Sequence, residues 1–213
     1  PSERELTNRY GLSRTTVRLA LQELEKQGYI YRQHGKGTFV SDLSKQGTNL
    51  SGSYSFTEQM RSVGKTPETK ILEFEVVEAN KYLAGRLGVS LGEKLLKLKR
   101  LRLADGQPMM LERSYLPAKK FLTLTRELLE QKPLYDLFSQ EFNQTIRVAN
   151  EEFFATIAKS KDARQLQIIE GSPVLSLRRT TYNTENEIIE FTLSVARADQ
   201  FRYRIAHVRT PEN

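Results

Sequence analysis

The sequence contains no cysteine. That excludes a disulfide framework and thiolate chemistry, and it fits a reducing, cytoplasmic setting. No run is apolar enough to cross a membrane as a helix. Histidine is scarce, with only His34 and His207 present. The patterns H-E-x-x-H, G-x-S-x-G and the P-loop are all missing, so the usual reacting constellations are absent. No metal and no cofactor is expected. Acidic residues are outnumbered, 26 against 33 basic ones, giving a net charge of +7 and a pI near 9.5. That balance favours an anionic partner without naming it. Hydrophobic content of 38% and charge of 28% over 213 residues describe a soluble globular protein of one large or two small domains.

What is present begins with Ser2 to Ser41, which reads as two short helices, a tight turn and a two-stranded wing. Ser2 and Glu5 have capping-box spacing. Gly11 ends the first helix, where positive φ is cheap for glycine. Ser13 can cap the second helix. Val17, Ala20, Leu21 and Leu24 recur at i, i+3, i+4 and i+7, the spacing of one buried stripe. Thr15, Arg18 and Gln22 fall on the opposite side, Arg14 and Thr16 lie in the first turn, and Gly28 stops the helix. Two apolar-rich runs, Tyr29 to Arg32 and Thr38 to Val40, flank the tip His34-Gly35-Lys36-Gly37. An Arg/Thr-rich helix start beside a basic wing suits duplex DNA: the helix reaches base edges in the major groove and the wing follows the backbone. A surface helical hairpin with ordinary charges is the plainer alternative.

The run PSERELTNRYGLSRTTVRLALQELEKQGYIYRQHGKGTFV resembles the winged helix-turn-helix of GntR-type bacterial repressors throughout. The resemblance implies DNA contacts at Arg4, Arg14, Thr15, Thr16, Arg18, His34, Gly35 and Lys36, with the capping Ser13 counted among them. The family's module carries a further helix ahead of the position matching Pro1. The given sequence is therefore expected to be part of a longer protein, with Leu6, Leu21 and Leu24 short of a packing partner.

Residues 42–52 form a Ser/Gly/Asn/Thr-rich linker between a DNA-binding domain at 1–41 and a second domain at 53–213. Phe56 to Met60 looks like the opening turn of a helix, either a helix start satisfied by water or an anion cradle. Strands are expected at Thr69 to Val77, Leu95 to Leu103, Met109 to Leu116, Ile146 to Ile157, Val174 to Tyr182, Ile188 to Ala196 and Phe201 to Val208. Helices are expected at Asn80 to Leu87, Phe121 to Glu130, Leu134 to Phe142 and Ala163 to Ile168. The order argues an α+β domain on a mostly antiparallel sheet.

An internal repeat underlies that order. Ala84, Leu87, Val89, Gly92, Leu95, Leu96, Leu98 and Arg100 have counterparts at Ala163, Leu166, Ile168, Gly171, Val174, Leu175, Leu177 and Arg179 at constant spacing. Each returning strand carries a carboxylate, Glu112 and Glu190. On a regular strand Leu96, Leu98, Arg100 and Arg102 share one face. Two arginines on a covered face must pair with Glu112 or line a polar pocket, because an unpaired buried charge is costly. A bulge between Lys99 and Arg100 would instead turn them outward.

Ser55 to Met60, Arg100-Leu101-Arg102, Glu112 to Tyr115, Gly171 to Val174, Glu190-Phe191 and Arg197 to Asp199 resemble the UTRA effector domain of the HutC branch of GntR-type regulators, over essentially all of Ser53 to Val208. This implies a chorismate-lyase-like sheet with flanking helices that binds a small molecule without turning it over. It implies phosphate at Phe56, Thr57, Arg100 and Arg102 in sugar-phosphate-sensing members, sugar groups at Glu112 and Glu190, and Tyr135 near the pocket. The family's aminosugar-phosphate sensors carry Tyr where this chain has Ala196, and often Ser where it has Pro133. The resulting expectation is a homodimeric, effector-controlled repressor of operator DNA. The rival is an enzyme of lyase-like fold, which lacks a nucleophile or base; a DNA-coating protein is disfavoured by the acid-rich stretches 130–152 and 185–190.

Overall fold

A computed structural model describes residues 3–26, 30–33, 37–40 and 56–200. The expectations for Ser2, Gly28, the wing tip His34 to Lys36, the linker and a strand at 201–208 lie outside those residues. The chain divides into two compact units, Pro1–Thr48 and Asn49–Asn213.

The first unit contains α1 (Glu3–Tyr10), α2 (Arg14–Lys26), β1 (Ile30–Gln33) and β2 (Gly37–Val40). Glu3 and Glu5 sit in the first turn of α1, where the helix dipole favours negative charge. Gly11 adopts φ +63°, turning the chain after α1. Ser13 Oγ accepts from Thr16 N at 3.1 Å and so caps α2. The strands pair antiparallel from Ile30–Val40 to Gln33–Gly37. The expected stripe on α2 is only half covered. Val17 and Leu21 are buried, but Ala20 is exposed and Leu24 is 39% exposed. Two short helices and a hairpin cover Val17 and Leu21 and leave Ala20 and Leu24 open.

The second unit contains α3 (Phe56–Ser62), β3 (Pro67–Glu78), α4 (Lys81–Leu87), β4 (Lys94–Ala104), β5 (Gln107–Pro117), α5 (Arg126–Gln131), α6 (Leu134–Gln140), β6 (Ile146–Ile157), α7 (Ser160–Leu166), β7 (Pro173–Asn183) and β8 (Ile188–Arg197). Six strands form one antiparallel sheet in the order β3-β4-β5-β8-β7-β6. This is the α+β, mostly antiparallel architecture expected.

Its organisation is the repeat made physical. β3-α4-β4-β5 and β6-α7-β7-β8 stand on either side of the β5–β8 pair. Ala79 and Gly92 brace the first helix–strand turn through Gly92 N to Ala79 O, and Ala158 and Gly171 do the same in the second. Val89 N returns to Ala84 O, and Ile168 N to Ala163 O. One detail breaks the correspondence. Asn80 Oδ1 accepts from Leu83 N at 2.9 Å and caps α4, whereas Lys159 stands at the matching position of α7 and caps nothing. Asn80→Ala should therefore lower the melting midpoint by roughly 2–4 °C, the effect of about 1 kcal/mol. Lys159→Asn should raise it, since Lys159 already has the extended backbone a cap requires. Thermal unfolding followed by circular dichroism checks both signs.

Three helical expectations shift at their ends. Phe121 to Glu130 is not one helix: a 3₁₀ turn at Ala118–Lys120 precedes α5, and Phe121 leaves helical geometry to plug the core. Thr125 then caps α5 through its hydroxyl. The helix expected at Ala163 begins at Ser160, and Gln167 ends it with φ +54°. α6 stops at Gln140 rather than Phe142.

Candidate effector site and DNA-facing surface

β4 stays regular through Lys99 and Arg100, so the bulge considered there is not found. The extra residue is Leu72 on the neighbouring β3. Leu96, Leu98, Arg100 and Arg102 thus share one sheet face. Its two ends are apolar. Leu96 and Leu98 pack with Phe121, Leu124, Leu134, Leu137 and Phe138. Ala104, Met109, Met110 and Ala196 pack with Phe56 and Met60 of α3. Between those patches the same face is polar.

Strand register lays out this polar layer in rows. Arg100 is opposite Glu112, and Glu112 is opposite Ser194. Ser114 is opposite Thr192, Thr192 opposite Arg179, and Arg179 opposite Glu151. Thr181 is opposite Glu190. Glu112, Ser114, Thr181, Glu190, Thr192 and Ser194 are all buried. Three guanidiniums and three carboxylates occupy one face, and their formal charges cancel.

The half around Glu190 is closed by internal hydrogen bonds. Glu190 is 0% exposed. Its Oε1 accepts from Thr192 Oγ1 at 2.7 Å, and Oε2 accepts from Thr181 Oγ1 at 2.6 Å and Tyr135 OH at 2.7 Å. Ser114 Oγ sits 2.6 Å from Thr192 Oγ1, extending the chain of hydroxyls. Arg179 Nε donates to Glu151 Oε1 at 2.6 Å, and Nη1 donates to Tyr135 OH at 3.1 Å. Burial foremost, and the Glu190 carboxylate with it, pushes the Tyr135 phenol up, although Arg179 pulls it down; the hydroxyl stays a donor. Burial alone would lower the Arg179 guanidinium, but Tyr135, Glu190, Glu151 and Glu112 hold it well above its ordinary value. A buried polar network satisfied to this degree is a rigid wall.

The half around Glu112 is different. Glu112 Oε2 lies 3.2 Å from Arg100 Nη2 and 3.7 Å from Arg102 Nη1. Neither contact is aligned as a hydrogen bond, and Arg100 Nε, Arg102 Nε and Ser194 Oγ also find no partner. Arg102 Nη2 donates to Thr57 Oγ1 at 3.3 Å, and its guanidinium lies 5.1 Å from the centre of the Phe56 ring. Burial pushes the Arg102 guanidinium down to about 10 despite Glu112. Burial would raise the Glu112 carboxyl, but Arg100, Arg102 and Arg179 together hold it below the usual range. Buried donors without acceptors are rare in native proteins. Here three of them belong to residues that flank Glu112, and two are guanidinium nitrogens. That arrangement can take an anion with several acceptor oxygens.

The structure therefore brings Phe56, Thr57, Arg100, Arg102 and Glu112 together, and places Tyr135 and Glu190 in the adjoining wall. Sequence reasoning did not single out Ser114, Glu151, Thr181, Thr192 or Ser194 for the site. Arg179 carried a signal, being the repeat mate of Arg100. The carboxylates themselves are not mates. Asp105 and Gly106 form the first hairpin turn, whereas Thr184, Glu185 and Asn186 lie between Asn183 and Glu187 in the second. The longer loop shifts the register by one residue. Thr192, opposite Arg179, is the counterpart of Glu112, and Glu190, opposite Thr181, is the counterpart of Met110.

In the first unit Arg4, Ser13, Arg14, Thr15, Thr16 and Arg18 are all exposed. Ser13 through Thr16 open α2, with Arg18 just beyond. Arg18 is 61% exposed, and its Nε lies 3.7 Å from Glu3 Oε2. His34, Gly35 and Lys36 lie outside the described residues. Among the described residues no cluster of metal-ligating side chains occurs, and no helix is long and apolar enough to cross a membrane.

Comparison with known proteins follows both units. Residues 1–40 match the family described as bacterial regulatory proteins, gntR family, and residues 62–202 match the UTRA domain. The chain is 37% identical over 206 residues to the HTH-type transcriptional repressor NagR of Bacillus subtilis, covering 95% of this chain and 83% of that protein. It is 30% identical over 203 residues to the HTH-type transcriptional regulator TreR of the same organism, covering 95% and 85%. The crystal structure of PhnF from Mycobacterium smegmatis is similar with a TM-score of 0.65 and 25% identity, over 98% of this chain and 92% of that one. The ligand-binding domain of a GntR-family transcriptional regulator from Bordetella bronchiseptica aligns with a TM-score of 0.64 and 28% identity, over 67% and 91%.

Proposed function

This chain belongs to the gntR family of bacterial regulatory proteins and carries a UTRA domain, and from that premise we propose that it is a homodimeric repressor whose grip on operator DNA is set by a phosphorylated sugar or aminosugar. The family comprises DNA-binding transcription regulators rather than enzymes, which fixes the coarse assignment. The finer reading rests on one observation: Arg100 and Arg102 each hold a buried, unused Nε donor, and Arg102 reaches Thr57 at the start of α3. Phosphate supplies acceptor oxygens in the number and geometry that two planar forks require. Glu112 lies across the hairpin from them, positioned for the hydroxyls or amine of a sugar. Glu190 shapes the wall behind.

DNA is read by Arg4, Ser13, Arg14, Thr15, Thr16 and Arg18, with His34, Gly35 and Lys36 of the wing following the backbone. Effector binding changes repression by its different affinity for the two arrangements of the paired DNA-binding units. In the full-length protein, Arg18→Ala should weaken operator binding more than random-duplex binding, by about 1–3 kcal/mol if Arg18 reads a base edge. Lys36→Ala should weaken both duplexes alike and lower the salt dependence. Fluorescence anisotropy on the two duplexes checks this, and equal losses for both variants would sink the division of roles.

Dimerisation runs through the second unit and matches a palindrome with half-sites about one helical turn apart. Analytical ultracentrifugation of the full-length protein at micromolar concentration should give a dimer. A monomer there would overturn this part of the proposal.

A further inference from the structure

We propose that Glu112 is a resident counter-ion that the effector's phosphate must displace, and that it thereby selects ligands bringing a hydrogen-bond donor or ammonium of their own. This rests on the phosphate reading of Arg100 and Arg102 given above. The argument is geometric. Glu112 Oε2 stands 3.2 Å and 3.7 Å from the two guanidiniums, so it is the anion the structure places between them. It serves them poorly, because Arg100 Nε, Arg102 Nε and Glu112 Oε2 itself make no hydrogen bond.

The contrast with Glu190 shows what a finished site looks like on this face. Three short hydroxyl bonds saturate Glu190, and Arg179 has its own aligned acceptor in Glu151. Thr192 replaces a carboxylate at the position matching Glu112. The second repeat has thus closed its charges with fixed internal partners, whereas the first holds two arginines with one exchangeable carboxylate.

A phosphate that takes both guanidinium forks leaves Glu112 a buried carboxylate beside a new anion. Two negative groups in one buried layer repel strongly unless the carboxylate gains a donor. A ligand with an amine or hydroxyl near its phosphate supplies that donor. A bare phosphate does not, and neither does an alkyl phosphate. Ser194, opposite Glu112 with its hydroxyl unpartnered, offers one neutral donor at most.

The test uses small probes in calorimetry on the intact protein: inorganic phosphate, ethyl phosphate and phosphoethanolamine. Wild type should bind phosphoethanolamine more tightly than ethyl phosphate. Glu112→Gln should bind inorganic phosphate and ethyl phosphate at least about tenfold more tightly than wild type and lose the preference for the amine, because close charge pairs of this kind carry that much. Phosphate should also raise the melting midpoint of Glu112→Gln more than that of wild type. If the Gln variant does not fold without phosphate, Glu112→Asp serves instead: its shorter arm loosens the pair and should raise phosphate affinity to a smaller extent. Unchanged or weaker phosphate binding in the substituted protein would overturn the counter-ion role. The phosphate reading itself would survive that outcome, since a separate variant tests it: it falls if Arg102→Ala binds phosphate as well as wild type does.

Discussion

Calorimetry on an Arg102→Ala variant should show phosphosugar binding reduced by at least about thirtyfold, the lower end of the 2–5 kcal/mol lost when one partner of a buried charged contact is truncated. Operator binding without ligand should be unchanged, because Arg102 lies in the second unit, where its side chain engages Thr57, Phe56 and Glu112. The variant is expected to fold. Arg100 is the nearer partner of Glu112, at 3.2 Å, so the carboxylate keeps a counter-charge. A second arm separates phosphate recognition from general pocket damage. The unphosphorylated sugar should bind wild type far more weakly than its ester, and Arg102→Ala should not weaken it further. If the neutral sugar binds wild type as well as the ester does, Arg100 and Arg102 are structural partners of Glu112 and nothing more.

Much of this was legible from residues alone. Alternation placed Leu96, Leu98, Arg100 and Arg102 on one face, and the cost of an unpaired buried charge demanded an acceptor there. The helix expected at Asn80 to Leu87 is α4 with Asn80 as its cap, and Gly11 with Ser13 marked the turn between α1 and α2. The repeat was visible because its glycines and apolar residues answer to the same backbone geometry in each half. Other features depend on contacts between distant segments. The bulge at Leu72 has no glycine or other local mark. Phe121 sits in a run with helical spacing, yet core packing draws it out of a helix. The saturation of Glu190 is set by Tyr135, Thr181 and Thr192, which come from α6, β7 and β8. Glu190 stands two residues before Thr192, the position matching Glu112, so the two carboxylates are out of register. Each returning strand carries a carboxylate, yet the register sets the two at different positions of the repeat.

The rigid wall should be the more fragile half when its charge is removed. Arg179→Met is expected to destabilise the second unit by about 3–5 kcal/mol at neutral pH, the usual result of leaving a buried carboxylate without its partner. The sign of its pH dependence distinguishes lost charge pairing from lost packing. In the wild-type fold Glu112 is held below its ordinary value with help from Arg179. A carboxyl depressed by folding adds stability above its unfolded value, and that stability fades as pH falls toward the folded one. Without Arg179 the Glu112 carboxyl binds a proton more readily in the folded state, so acid should relieve the variant more than it relieves wild type. Urea unfolding at pH 7.5 and pH 5 should therefore show the two proteins converging at the lower pH. Adding Glu151→Gln to Arg179→Met should restore part of the loss, because Glu151 is the carboxylate that Arg179 Nε engages at 2.6 Å. A loss that is constant with pH and unaffected by the second substitution would mean that Arg179 stabilises the fold by filling space, and the polar layer would not be the charge-matched network described.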